Sequence, residues 1–339
     1  MNALTERVAG GAVLSRDEIR RACDGLLDGG QPVEVRAEFL EALHRRGETP
    51  REIEGFVSVL LERATAFPGG GDGAIDVCGT GGDRAGFFNV STAAMFVAAA
   101  CGARVVKHGN RGVTSKSGGA DVLEALGVRV DLVPERAAAA LDSAGCCFLF
   151  APHYHPAFKA VAPVRALLAS RGSRSIFNML GPLLNPARPS FQLAGVFDRS
   201  LLPTYANVFG LLGRRRAWAV HGAPALDEVS PLGPTDVFAW QDNSVRKFAI
   251  RPEDLGIGPV DAHELAGGSA AENATIIASI FSGRRCDGAR VIVELNAAAA
   301  LVVAGIADDL PSGLALAGDA IDSGAAAAAL NRLRSATQA

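Results

Sequence analysis

Apolar residues recur three and four positions apart in three successive stretches near the start of the chain, LSRDEIRRACDGLLDG, PVEVRAEFLEALHRRG and TPREIEGFVSVLLERATAF, each with a polar opposite face. That spacing predicts three amphipathic helices. Ser15 with Glu18 one turn on, and Thr49 followed by Pro50, read as helix starts; Gly29, Gly30 and Gly47 read as stops. FPGGGDG, residues 67–73, is a linker, and the pattern changes after it. Short apolar runs now alternate with polar glycine loops and longer apolar helices. A small N-terminal helical domain, residues 1–68, is therefore expected ahead of a larger α/β domain, residues 69–339, whose mostly parallel central sheet is covered by helices.

The first α/β unit is AIDVCGTGGDRAGFFNVSTAA, residues 74–94. Ala74 to Val77 reads as a buried strand, and Gly79, Gly81, Gly82 and Asp83 form a loop whose backbone N–H groups can approach a ligand closely. Asn89, Ser91 and Thr92 stand before an alanine-rich helix expected from Ala93, so hydroxyl caps and a positive helix end adjoin the glycines. The arrangement suits a phosphate, although GTGGD is neither GxGxxG nor a Walker loop and a plain strand-to-helix turn has the same look. A second unit, residues 103–127, repeats the logic: strand, then KHGNRGVTSKSGG, then a helix near Ala120. Lys107 and Arg111 offer cations, Ser115 and Ser117 hydroxyls, and His108 and Asn110 directional hydrogen bonds. Further on, CCFLF, FAWQ, VRKFAI and VIVEL read as strands, and residues 270–280 and 296–304 as helices.

Composition narrows the class of function. With 49% hydrophobic residues in 339, the chain can build a large core; 33 Lys and Arg against 36 Asp and Glu give a net charge of −3, no general attraction for nucleic acid or membrane. No apolar run approaches membrane-spanning length and the start shows no basic-then-apolar leader, so a cytoplasmic location is expected. The six cysteines lack CxxC or metal spacing and read as core filler, Cys78 beside the glycine loop included. Asp227 and Glu228 in LDEVSPLGPT follow the strand-like AWAVHG within a proline-constrained loop, either a solvated surface or a site. Arg165 in APHYHPAFKAVAPVR has the planar fork that clamps a carboxylate, or could pair with an acidic helix face.

Taken together, GTGGD, NVSTAAM, KHGNRGVTSKSGGADVLEALG, APHYHPAFKAVAPVR, FNMLGPLLNPA, LDEVSPLGPT and LNAAAALVVAG closely resemble, in that order, the anthranilate phosphoribosyltransferase family. The resemblance implies a homodimer built through the helical domain, joined by helices from about 157–185. It implies transfer of phosphoribosyl from phosphoribosyl pyrophosphate to anthranilate with Mg2+, a step of tryptophan biosynthesis. By the same resemblance Gly79, Gly82, Asp83, Asn89, Ser91, Thr92, Lys107, Gly109, Asn110 and Ser115 hold the donor. His108, Asn110, Ala151, Pro152, His155 and Arg165 line the acceptor, and Ser91, Asp227 and Glu228 hold the metal. The acceptor amine is already neutral at pH 7, so no general base is assigned.

Several positions depart from the family's usual pattern. Arg84 and Phe87 alter the tip of the first loop, Gly119 lacks a hydroxyl, and Ala223-Pro224-Ala225 replaces an Asp-Gly before the acidic pair. ALLASRGSRSIF after Arg165 is longer than usual, and Arg171 and Arg174 offer other registers for a second arginine. Transfer to another aminobenzoate or aromatic amine is therefore an alternative. In a different class, a non-catalytic nucleic-acid-binding member of the fold is the alternative, as is, more remotely, a pyrimidine nucleoside phosphorylase.

Overall fold

The computed structural model describes residues 1–81, 85–112 and 116–338. The chain opens with four helices, α1 (Asn2–Ala9), α2 (Arg16–Leu27), α3 (Val33–Arg46) and α4 (Pro50–Glu62). The first was not expected from the sequence, where the short NALTERVA run has only Leu4 and Val8 to bury. Ser15 and Glu18 close a capping box at α2, and Thr49 and Glu52 another at α4. The Glu52 carboxylate also receives Arg46 at 2.6 Å and the Leu14 amide at 2.9 Å, so one buried group joins α4 to α3 and to the link before α2. It titrates below the usual carboxylate range because these donors outweigh its desolvation.

Then follow β1 (Ala74–Gly79), α5 (Val90–Ala100), β2 (Arg104–Gly109), α6 (Gly119–Ala125), α7 (Pro134–Ala144) and β3 (Cys146–Phe150). After β3 come α8 (Ala151–Tyr154), a helical turn at Pro156–Val161, α9 (Ala162–Ser170), α10 (Phe177–Leu180), β4 (Phe191–Gly195) and α11 (Leu202–Leu211). The remainder is β5 (Arg216–Gly222), β6 (Thr235–Gln241), β7 (Ser244–Ile250), α12 (Ala270–Phe281), α13 (Gly288–Ala304), α14 (Leu310–Asp322) and α15 (Ala325–Gln338).

The strands form one sheet in the order β3-β2-β1-β4-β5-β6-β7, with β1 to β5 parallel and the hairpin β6–β7 antiparallel. The chain leaves β1 towards β2 and β3, then returns to lay β4 on the other side of β1. The C-terminal ends of β1 and β4 therefore flank a topological switch point, where open α/β sheets bind ligands.

Two large cores lie on the two faces. On one, α5 is buried almost throughout and packs on α13 and α15, its alanines letting the helices approach closely. On the other, residues of α1 to α4 share a single apolar cluster with Val164, Leu168, Phe177, Tyr205 and Phe209, and with Ala194 and Ala217 of the sheet. VIVEL is not a strand. It lies inside α13, where the Asp287 side chain accepts from the Ala289 amide at the start and Arg290 pairs with Glu294 one turn on at 2.6 Å. Its β-branched run is buried by neighbours on several sides, which hides the helical period.

Candidate active site

The glycine loop leaves β1 at the switch point and is docked there by short polar bonds. The Thr80 amide donates to the Gly195 carbonyl at the end of β4, and its Oγ1 accepts from the Phe197 amide, both at 2.9 Å. The Gly81 amide donates to Asp227 Oδ2 at 2.7 Å, bringing the acidic loop after β5 onto the glycine loop after β1. Asp227 lies so close that a Cβ on Gly79 would stand 2.9 Å from its carboxyl carbon, and one on Gly195 would strike its backbone. Glycine is needed at these strand ends for the carboxylate as much as for any ligand. Asp227 is buried; Glu228 is half-buried and lines a small cavity with Cys78, Ser91, Gly195 and Asn296.

Ser91 and Thr92 are not caps. Helix α5 begins at Val90, so both hydroxyls sit within its first turn, and Asn89 at the cap position uses its side chain elsewhere. Asn89 Nδ2 donates to the Ser117 carbonyl of the second loop at 3.2 Å, and its Oδ1 accepts from Asn273 Nδ2 at 2.9 Å. Asn273 thus joins a third segment to the two loops, and its own Oδ1 takes the Gly268 amide at 2.7 Å. The buried Lys107 ammonium donates to Ser91 Oγ at 3.1 Å and to the Val77 carbonyl. Gly109 ends β2 against the Phe148 ring, and Asn110 is exposed and accepts the Arg111 amide at 2.7 Å. Gly82, Asp83, Arg84, Thr114 and Ser115 lie outside the described residues.

Arg111 does not offer a free cation. It is bound by Asp121 at 3.1 Å and by Glu124, both on α6, which hold it well above its ordinary pKa. At Gly119, a Cβ would stand 3.5 Å from Thr92 Oγ1 and 3.8 Å from Lys107 Cε, ordinary contact, so a hydroxyl-bearing side chain has room there.

The acceptor candidates gather at the ends of β2 and β3. The His108 and His155 rings meet edge to face with centroids 5.2 Å apart, and His155 stacks on Phe158 at 5.1 Å. Both histidines are buried, and each keeps one ring nitrogen, His108 Nε2 and His155 Nδ1, without a hydrogen-bond partner among the described residues. Burial, reinforced by His155, draws His108 down to about 3, and burial lowers His155 as well, so both rings are neutral at pH 7. Ala151 and Pro152 open α8 directly after β3. Arg165, on α9, is exposed and has no hydrogen-bond or ion-pair partner among the described residues; partial desolvation lowers its pKa. The other two arginines are engaged: Arg171 pairs with Glu41 of α3 at 3.2 Å, and Arg174 lies over the Phe197 ring, 4.2 Å from its centroid.

Some supporting residues escape a reading of the chain alone. Asp76, fully buried in β1, accepts from the His108 amide at 3.3 Å and faces Lys107; burial raises its pKa, against the pull of that lysine. A charged residue inside an apolar strand run was its one signal. Burial pushes the Cys78 thiol far up, as expected of core filler.

Ser91, Asp227 and Glu228 are hard oxygen donors. Among the described residues no group of three or more His, Cys, Asp or Glu side chains is placed to hold a metal. The set therefore fits Mg2+, which binds through one or two carboxylates together with waters and substrate phosphates, and does not fit a closed all-protein zinc site.

A phosphate-type glycine loop, an adjoining acidic loop and two neutral, buried histidine rings, all at the C-terminal ends of the parallel strands, fit a glycosyl-transfer enzyme. Two family models agree: residues 2–64 match the helical bundle domain of a glycosyl transferase family, and residues 71–327 match its a/b domain. The anthranilate phosphoribosyltransferase of Methylobacterium nodulans is 48% identical over 329 residues, covering 96% of each chain. The crystal structure of anthranilate phosphoribosyltransferase from Thermus thermophilus superposes with a TM-score of 0.91 at 36% identity, covering 99% of each chain. The Saccharomyces cerevisiae enzyme in complex with PRPP and Mg gives 0.84 at 26% identity over 95% of this chain and 92% of that one. The chain belongs to the anthranilate phosphoribosyltransferase family.

Proposed function

We propose that this chain transfers a phosphoribosyl group from phosphoribosyl pyrophosphate to the amine of anthranilate, releasing pyrophosphate, as a step of tryptophan biosynthesis. The main support is the Gly81–Asp227 hydrogen bond, which joins a phosphate-type loop to a pair of carboxylates at the switch point. Breaking the C1–oxygen bond leaves positive charge on the sugar and negative charge on the departing pyrophosphate. Backbone N–H groups of the glycine loop, Ser91 and Thr92 in the first turn of α5, and Lys107 are the donors assigned to the phosphates, with Asn89 holding the two loops together. Ser91, Asp227 and Glu228 are assigned to Mg2+, which when bound neutralises charge developing on the leaving group.

His108 and His155 line the aromatic acceptor, and Arg165 clamps its carboxylate. The depressed pKa of both rings suits a role in shape and hydrogen bonding, since a base drawn down to about 3 accepts a proton poorly at pH 7. Residues 1–68, with 157–185, form the helical domain and the surface of a homodimer, and residues 69–339 form the catalytic domain. No helix among the described residues is long and apolar enough to cross a membrane, and a cytoplasmic location goes with that reading.

The deciding experiment is pyrophosphate release by the purified chain with phosphoribosyl pyrophosphate and Mg2+, with and without anthranilate. Anthranilate-dependent release is expected. Release only with another aminobenzoate or aromatic amine would reassign the acceptor, and no release with any amine would remove the transferase reading. Light scattering of the eluted protein tests the dimer.

A further inference from the structure

Arg36, on α3, is 2% exposed, yet it has no carboxylate partner among the described residues. Its Nη1 donates to two carbonyls, Leu26 at 3.2 Å and Ala160 at 2.7 Å, while its Nε is buried without a partner among the described residues. Leu26 lies in the last turn of α2, and Ala160 in the last turn of the Pro156–Val161 segment. One carbonyl from the end of α2 and one from the turn that runs directly into α9 thus meet at one guanidinium. A buried arginine without a counter-ion is a poor device for stability, since an apolar side chain of similar size avoids its desolvation. What it does supply is a fixed distance between three segments.

Ala160 stands midway in sequence between His155 and Arg165, two of the acceptor candidates. A second polar tie from the same helix reaches the far end of α9, where Glu41 pairs with Arg171 at 3.2 Å. Between the ties, Val164 and Leu168 of α9 are buried in the apolar cluster that contains Phe39, Leu40 and Leu43 of α3. Helix α3 therefore grips α9 before its first residue, along its face and after its last, and leaves Arg165 exposed without a partner among the described residues.

We propose that Arg36 is a positioning residue for the acceptor: through Arg36 and Glu41, α3 sets where α9 carries Arg165, and so couples the helical domain to acceptor affinity. The inference rests on Arg165 being the carboxylate clamp. A role confined to stability would affect donor and acceptor alike, whereas a positioning role separates them.

The test uses Arg36→Met, Arg36→Lys and Glu41→Gln in the full chain, with two independent readouts. The first is hydrogen–deuterium exchange across residues 156–170. It is expected to quicken in Arg36→Met while the strands stay as protected as in the unaltered chain. The second is steady-state kinetics. The KM for anthranilate is expected to rise about tenfold in Arg36→Met and about twofold to threefold in Glu41→Gln, with kcat and the KM for phosphoribosyl pyrophosphate within about twofold. Arg36→Lys, which can still reach one carbonyl, is expected to fall between. Unchanged exchange overturns the proposal, as does faster exchange with an unchanged acceptor KM, or a parallel rise of both KM values. Should Arg36→Met fail to fold, Glu41→Gln and Arg171→Gln carry the same test, because that pair is partly exposed and its loss buries no lone charge. Failure of the unaltered chain to use anthranilate would overturn the functional reading instead, and the exchange measurement would still decide whether Arg36 holds α9.

Discussion

Asn296 and Val229 close a two-bond ring: the Val229 amide donates to Asn296 Oδ1 at 2.9 Å, and Asn296 Nδ2 donates back to the Val229 carbonyl at 2.8 Å. The same Nδ2 reaches the Ile292 carbonyl at 2.9 Å, so an amide on α13 grips the residue next to Glu228. The loop is also braced internally, with the Ser230 amide on Thr235 Oγ1 at 2.9 Å.

Asn296→Ala should leave the buried amide and carbonyl of Val229 unpaired, costing about 2 kcal/mol of stability and loosening the acidic pair. Urea denaturation checks the first effect. A Mg2+ titration of the initial rate checks the second, and a curve unchanged from the unaltered chain would mean that Asn296 serves packing alone.

Asp227→Asn with Glu228→Gln keeps size and removes both charges beside the glycine loop. Turnover should fall by about two orders of magnitude or more, since the leaving group loses its neutralising ion. Near-normal Mg2+-dependent pyrophosphate release in the double variant would remove the metal assignment.

Arg165→Ala should raise the KM for anthranilate by about a hundredfold, the worth of a charge-assisted bidentate pair, with little change for the donor. Arg174→Ala should change the acceptor KM far less, because that guanidinium already lies over Phe197. Calorimetry showing weakened donor binding and untouched anthranilate binding in Arg165→Ala would place the clamp elsewhere.

His108 has a folded-state pKa of about 3 against 6.5 for a free histidine, and His155 is shifted the same way. Below pH 6.5 the unfolded chain takes up protons that the folded chain refuses. Through His108 the folded state should therefore lose up to about 1.4 kcal/mol per pH unit as pH falls from 6.5 towards 3, and nothing above 6.5, with His155 adding a loss of the same sign below 6.5. Asp76, raised by burial, contributes with the opposite sign from 3.8 upward, so the comparison needs a reference. Urea denaturation of the unaltered chain and of His108→Asn between about pH 7 and pH 5 should show the steeper loss in the former.

The amino-acid pattern carried the parts of this protein that depend on near neighbours. Ser15 with Glu18 and Thr49 with Glu52 start helices because cap and partner lie within one turn, and the glycines after β1 mark a loop whatever surrounds it. The same locality misled where burial on several sides erased the period, as in VIVEL, and where a hydroxyl at the start of α5 was given to the cap and not to the first turn. What only the tertiary structure decided is which loops meet. Gly81 and Asp227 are 146 positions apart, Asn89 and Asn273 184, and Arg36 and Ala160 124. Their contacts follow from the order of strands in the sheet and from the apolar cluster that α3 shares with α9. Hydrogen bonds within a turn are set by the spacing of side chains along one backbone; bonds between segments far apart in sequence exist only once hydrophobic burial has folded those segments together.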